Sequence, residues 1–254
     1  FGPDGDVSHD IFYVENMKAQ LDELKKELEA DPGLVEKYGY SDPYDLRFII
    51  DNFVRNPELS FIPTDSIVVH VDRDAVVRSG MMLPNGPDSI PEHFSIALKK
   101  QRVTKSEMMV YELLARHNWV RPLYMSVTLG PENYAGLNNH LVLEGLASRV
   151  TPFEFSGEAV DTEKMYENFM TKFRFGGIDR DGIYLDQTIL RMCQTHRSMF
   201  VQLIGALIDE GKTDKALKAL EHCKRQFPSK NVPYEVLSVR YDYDTGRFCL
   251  PSYW

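Results

Sequence analysis

The apolar residues change period twice along this chain, and that change limits the fold more than any other feature of the sequence. Near the start, Val14, Met17, Leu21, Leu24 and Leu28 recur at alternating spacings of three and four. That pattern predicts a helix with one apolar face. Too few heptads follow for a coiled coil, so the face is expected to pack on the chain's own core. Asp31-Pro32-Gly33 is read as its end. A second helix is expected from Asp42-Pro43, with Leu46, Ile49, Ile50 and Phe53 as its buried face and Asn56-Pro57 as its stop.

The middle then switches to β-branched runs. Ser66-Ile67-Val68-Val69-His70-Val71 has the composition of a buried strand, and further strands are expected at 94–98, 123–129 and 146–153. A short helix over 72–79 is closed by Gly80, and three prolines over 81–91 predict an irregular loop. Thr104-Lys105-Ser106-Glu107 is a capping box that starts a helix running to about His117. Helical spacing returns with Met165, Phe169 and Phe173. Asp186 is then expected to cap a long helix to Glu210, and Thr213 to cap its successor to Phe227. Leu203, Leu207, Gly211, Ala216, Leu220, Cys223 and Pro228 carry the small and large spacing of one tetratricopeptide hairpin, with no second copy. The end, 239–250, alternates about Asp244-Thr245-Gly246 as a β-hairpin does. The expected class is therefore α+β: a small mixed sheet flanked by helices, with a C-terminal tetratricopeptide-like helical hairpin. The segments are 1–58, 59–157 and 158–254, packed as one compact unit.

With 43% hydrophobic and 26% charged residues, the chain has the composition of an ordinary globular protein and not of a disordered one. A net charge of −9 argues against nucleic acid as a partner, because phosphates need clustered Lys and Arg. No segment approaches the roughly 20 apolar residues that would insert into a bilayer. Phe1-Gly2-Pro3 reads as the cut end of something longer. The three cysteines, Cys193, Cys223 and Cys249, form no C-x-x-C pair. In a hairpin turning at Gly211, Cys193 and Cys223 fall roughly 10 Å out of register, so free buried thiols are expected.

The sequence offers no catalytic, metal or cofactor motif. The seven histidines are scattered, and there is no G-x-S-x-G, P-loop or G-x-G-x-x-G. Asp179-Arg180-Asp181-Gly182 lacks the later ligands of a calcium loop, and Asp242 with Asp244 is expected on one solvated face of the hairpin. One constellation stands out: Asn118-Trp119-Val120-Arg121-Pro122-Leu123-Tyr124, at a helix-to-strand junction. Trp119, Arg121 and Tyr124 offer flat faces that stack on a sugar ring or a peptide aromatic. The competing reading puts Trp119 in the core and pairs Arg121 with a carboxylate.

The same junction, Asn-Trp-x-Arg-Pro-Leu-Tyr followed by Val-Thr, resembles a hallmark of the bacterial membrane proteins grouped as domain of unknown function 2723, relatives of the transmembrane-protein O-mannosyltransferases. Further segments agree in order, among them Ile62-Pro63-Thr64-Asp65-Ser66, Arg78-Ser79-Gly80-Met81-Met82, Glu144-Gly145-Leu146-Ala147, Lys172-Phe173-Arg174-Phe175-Gly176-Gly177 and Tyr184-Leu185-Asp186. The likeness spans roughly residues 40 to 235. It implies a parent with an N-terminal multi-spanning region resembling glycosyltransferases that use lipid-linked sugars. This chain would be its soluble part on the periplasmic face, tethered to the inner membrane. The family's catalytic acid belongs to the membrane part, so the resemblance assigns no catalytic residue here.

The function these readings lead to is an accessory one: a non-catalytic extracytoplasmic domain that binds or presents an acceptor polypeptide or glycan, with the parent's own membrane region as its other partner. The alternative is a purely structural or assembly module. A hydrolase in the middle segment would require a cleft with converging acids.

Overall fold

The computed structural model describes residues 11–233 in full, together with the backbone of Arg240–Asp242 and Arg247–Cys249. The architecture is α+β, with strands in small sheets of two to four members. The chain divides into two compact units, Phe1–Leu141 with Val150–Gly157, and Val142–Arg149 with Glu158–Trp254.

In chain order the first unit contains β1 (Ile11–Tyr13), α1 (Lys18–Ala30), α2 (Pro32–Tyr38), α3 (Leu46–Ile49), β2 (Ser66–His70), α4 (Arg73–Arg78), β3 (His93–Ala97), β4 (Arg102–Thr104), α5 (Lys105–Ala115) and β5 (Tyr124–Ser126). The apolar stripe of α1 buries Leu21 and Leu28, but Val14 and Met17, expected on the same face, precede the helix, Val14 in a bridge to Ile62. Asp31-Pro32-Gly33 ends α1 but also begins α2, a helix the sequence reading missed. The Asp31 carboxylate accepts from the Gly33 N–H at 2.8 Å, and Pro32 takes a first-turn position where no amide hydrogen is needed. Asp42 holds only a turn; the cap of α3 is Asp45, which accepts from the Arg47 N–H at 2.7 Å. From Ile50 to Val54 the same helix widens into a π-turn. Strands β2 and β3 pair antiparallel over their full length, Ser66 opposite Ala97 through to His70 opposite His93. The capping box at α5 is present as expected: Thr104 accepts from the Glu107 N–H, and the Glu107 carboxylate accepts from the Thr104 N–H. One apolar core joins Leu46, Ile49 and Ile50 to Ile67, Val69, Ile96, Met108, Leu114 and Trp119.

The second unit contains β6 (Leu141–Leu143, from Val142 on), β7 (Ala147–Val150, up to Arg149), β8 (Ala159–Val160), α6 (Thr162–Glu167), α7 (Gln187–Asp209) and α8 (Thr213–Gln226). Strand β6 pairs with β8 in parallel and borders β7 on its other edge. The long helix α7 starts where expected, with the Asp186 carboxylate accepting from the Ile189 N–H at 2.8 Å. Gly211 turns the chain at φ +73°, a left-handed conformation that a side chain disfavours. Thr213 is not the cap expected of it. The position before α8 is Lys212, which makes no capping bond, and Thr213 is already inside the first turn. The hairpin's small residues serve close packing: Ala216 and Ala219 are fully buried, as are Leu203 and Leu207 on α7. Phe169 stacks on Phe200 at 4.3 Å, and Phe175 meets Phe227 edge-on at 5.3 Å.

Cys193 and Cys223 are free thiols, and burial pushes the Cys223 thiol up to about 12, so it stays protonated. Asp181 pairs with Lys230 in the turn after Gly177. Strands β9 (Arg240–Asp242) and β10 (Arg247–Cys249) pair antiparallel, the hairpin the alternation predicts. Its turn at Asp244, the side chain of Asp242 and that of Cys249 lie outside the described residues.

Charge ties the ends of α6 and α7 to α8. Glu163 accepts from Lys212 at 2.8 Å and from Lys215 at 2.6 Å, and Lys212 also reaches Glu210 at 2.6 Å. Hydrogen bonds from Lys212 and Lys215 lower the Glu163 carboxyl from 4.5 to about 2. A depressed carboxylate contributes its stability above its unfolded pKa and loses it as pH falls through its folded value. The second unit is therefore expected to lose stability between pH 4.5 and about 2, and Glu163→Gln to flatten that part of the profile. Because Glu163 is mostly exposed, the effect should be small and should shrink with added salt, which urea unfolding at several pH values would measure.

Candidate functional site: a polar cleft in the first unit

The first unit opens in a cleft of about 640 Å³. Its walls come from the end of α2 (Gly39, Tyr40, Ser41), the start of α3 (Asp45, Arg47), the end of β2 (His70, Asp72) and the segment after α5 (Arg116 to Trp119). The walls from α3, β2 and α5 are the polar ends of elements whose apolar faces lie in the core, whereas α2 buries no residue. The cleft lies where elements stop: Gly39 ends α2 at φ +75°, and His70 is the last residue of β2.

Two charge clusters shape it. In the first, the Asp45 carboxylate is buried, with 5% of the residue exposed. One of its oxygens caps α3 and lies 3.6 Å from the Arg47 Nε; the other lies 3.4 Å from the His70 Nε2. In the second, Asp51 accepts from the Tyr40 hydroxyl at 2.5 Å and from Arg116, while Glu112 holds both Arg116 and Arg55. Burial opposes ionisation of Asp51, but the hydrogen bonds from Tyr40 and Arg116 outweigh it and hold the carboxyl below its usual range. The same contacts raise the Arg116 guanidinium, which stays charged. Tyr40 is pushed up by burial and by its bond to Asp51.

The wall is thus charged in detail and balanced in sum. Of the charged residues that line it, Asp45 and Asp72 are matched by Arg47 and Arg116, while Asp51, Glu112 and Arg55 stand behind Arg116. Such a wall suits a neutral, hydrogen-bonding ligand better than a free phosphate, which needs uncompensated cations. His70 backed by Asp45 is a proton-transfer pair in principle. Among the described residues no group of three or more His, Cys, Asp or Glu is placed to hold a metal ion.

Of the three residues singled out at the junction, the structure puts only Trp119 in the cleft wall, and there its indole belongs to the core. Trp119 is 1% exposed. Its Nε1–H donates to the His70 carbonyl at 3.1 Å, with His117 edge-on at 4.8 Å and Phe94 at 6.1 Å. Its backbone sits at φ +57°, in a tight turn closed by the Val120 N–H on the Asn118 carbonyl at 2.7 Å. Arg121 is exposed, and its carbonyl accepts from His117 Nε2. Tyr124 is 39% exposed at the start of β5. Neither Arg121 nor Tyr124 lines the cleft. The cleft residues Asp45, Arg47, His70 and Arg116 went unnoticed in the sequence because they are scattered over about 70 positions and share no motif.

Residues 10–168 match the family model TMEM260-associated domain 2. The chain belongs to that family. The match contains the whole cleft and the Asn118–Tyr124 junction. No curated protein and no solved structure matches the chain. Among the described residues no helix is long and apolar enough to cross a membrane.

Proposed function

We propose that this member of the TMEM260-associated domain 2 family is a non-catalytic domain of a membrane protein, and that it holds an acceptor, polypeptide or glycan, for a glycosyltransferase-like membrane region. The observation that carries this reading is the cleft: wide, open, and lined by donors and acceptors whose charges cancel. Polypeptide backbone and sugar hydroxyls are neutral and dense in hydrogen-bonding groups, and they fit that wall. The family name supports association with a transmembrane protein, and the resemblance to the domain of unknown function 2723 proteins supports the finer assignments: an extracytoplasmic, periplasmic setting beside a transferase that uses lipid-linked sugars.

A structural or assembly role is favoured by one observation, the burial of Trp119, which gives the most distinctive segment of the sequence a packing job. The two readings separate on Arg47 and His70, which are both partly exposed and lie outside the apolar core. In the parent protein, Arg47→Ala with His70→Ala is expected to lower acceptor modification per molecule about tenfold, a loss of about 1.4 kcal/mol in binding. Membrane abundance should stay the same. An unchanged rate with unchanged abundance would contradict the presenting role, and a fall in abundance alone would favour the structural one.

A further inference from the structure

We infer that the first unit carries a second binding site, for a neutral polyhydroxylated ligand such as a single sugar residue, in the cavity bordered by Pro131, Glu132, Asn138, Asn139, His140 and Glu154. The cavity measures about 350 Å³, within the usual range for small-ligand sites, and shares no lining residue with the cleft.

The cavity is built on a rigid floor. The loop 130–140 is pinned to the core by the buried Tyr111 hydroxyl, which donates to the Ala135 carbonyl at 3.0 Å. At Gly136, with φ +81°, a Cβ would come within 2.7 Å of the Ile96 side chain, so only glycine lets the loop lie this close to β3. The Asn138 amide donates to the Pro131 carbonyl at 3.1 Å, and the Asn139 amide to Glu154 at 3.4 Å. Both amides keep a free carbonyl oxygen and a second N–H, a pairing that matches sugar hydroxyls, which donate and accept at once. Pro131, Ala97 and Ala135 supply the apolar surface on which the C–H face of a sugar ring packs.

Two features choose a neutral ligand over an anion. The lining sets three cations, Lys99, Lys100 and Arg102, against three carboxylates, Glu107, Glu132 and Glu154. Two of the cations are already engaged: Lys100 with Glu107 at 3.2 Å, and Arg102 over the Tyr13 ring at 5.6 Å. The second feature is His140, 6% exposed and stacked on Phe94 at 4.4 Å. Its ring hydrogen-bonds to the Phe153 and Thr151 backbone, while its Nδ1 is buried without a hydrogen-bond partner. Burial lowers its pKa against the pull of Glu154 and those backbone bonds, so the ring is neutral at pH 7. With the proton on the nitrogen that faces the backbone, Nδ1 is an acceptor. The uncharged ring gives an oxyanion no cation to pair with.

The site is independent of the parent's activity and of the cleft, so its failure leaves the presenting role standing, and the reverse holds too. The test is titration of the 15N-labelled 254-residue protein with the methyl glycosides of glucose, galactose, mannose and N-acetylglucosamine, with glucuronate and inositol hexakisphosphate as anionic probes. At least one neutral glycoside is expected to give saturable shifts at the Asn138 and Asn139 side-chain amides at millimolar concentration. Asn139→Ala should weaken it about tenfold. Should Asn139→Ala fail to fold, Glu132→Gln, at an exposed lining residue, decides the matter by the same tenfold loss. Absence of saturable shifts with every neutral glycoside, tighter binding of either anion, or unchanged affinity in Asn139→Ala would overturn the proposal.

Discussion

Trp119→Ala is expected to cost the first unit about 3 to 5 kcal/mol, the range for removing a buried Trp from a packed core. Three losses add up in this variant. The indole leaves the core cluster it shares with Phe94 and Leu114, the edge-on contact with His117 disappears, and the His70 carbonyl loses its donor. A further term distinguishes this site from an ordinary core position. Trp119 holds φ +57°, which costs a residue with a side chain roughly 1–2 kcal/mol, and alanine keeps that strain without the packing that offsets it. Trp119→Gly should therefore be the less damaging truncation by about 1 kcal/mol, against the usual order of the two residues. Urea unfolding followed by circular dichroism measures both. An alanine variant as stable as the native chain would mean that the indole is not the core plug described here. A glycine variant less stable than alanine would mean that the left-handed turn is not retained in solution.

The largest effect expected in the second unit is at Arg197. This guanidinium is 5% exposed on α7, and it donates to the carbonyls of Phe227, Val232 and Pro233 at 2.6 to 2.8 Å. The Phe227 carbonyl lies at the C-terminal end of α8, where the helix dipole also favours a cation. Arg197→Ala leaves the Phe227 and Val232 carbonyls buried and unpaired, at roughly 1.5 kcal/mol or more for each bond to a charged donor, whereas the Pro233 carbonyl keeps the Gln194 amide. A loss of about 3 kcal/mol or more is expected, with the α7–α8 hairpin loosened at its open end, away from the Gly211 turn. Arg197→Lys should recover only part of it, because an ammonium cannot span three acceptors with the planar fork of a guanidinium. Amide hydrogen exchange over 213–233 is the direct readout. Full protection in Arg197→Ala would show that this region is held by packing alone.

Helices were the part of the fold most legible in the sequence, because caps and apolar spacing are local. The Thr104/Glu107 box, the Asp186 cap and the Gly211 turn each act within a few residues. Asp31 shows the limit of local reading: the same Asp-Pro pair that stops α1 starts α2, and only the Gly33 hydrogen bond reveals which role operates. Strands were less legible. Strand β2 shows itself by its β-branched residues, whereas β1, β4, β6 and β8 are two or three residues long, and β1 and β4 exist through each other from about 90 positions apart. The candidate sites were the least legible of all. Trp119 drew attention as an aromatic beside an Arg, and its burial depends on β2 and β3 arriving from 25 to 50 positions upstream. Asp45, His70 and Arg116 in the cleft, or Asn139 and His140 in the second cavity, are ordinary residues until the fold gathers them.

The central claim, that the cleft serves acceptor handling, is tested most directly by the rate of acceptor modification per molecule of membrane-inserted parent. The native protein is to be compared with the Arg47→Ala, His70→Ala variant. His70→Ala removes the imidazole but keeps the backbone carbonyl that Trp119 uses, and because the variant also strips the buried Asp45 of Arg47 and His70, its urea midpoint is measured beside the rate. The account predicts a rate about tenfold lower at equal abundance. A variant that works at the native rate, or a native parent that modifies no acceptor, would contradict it.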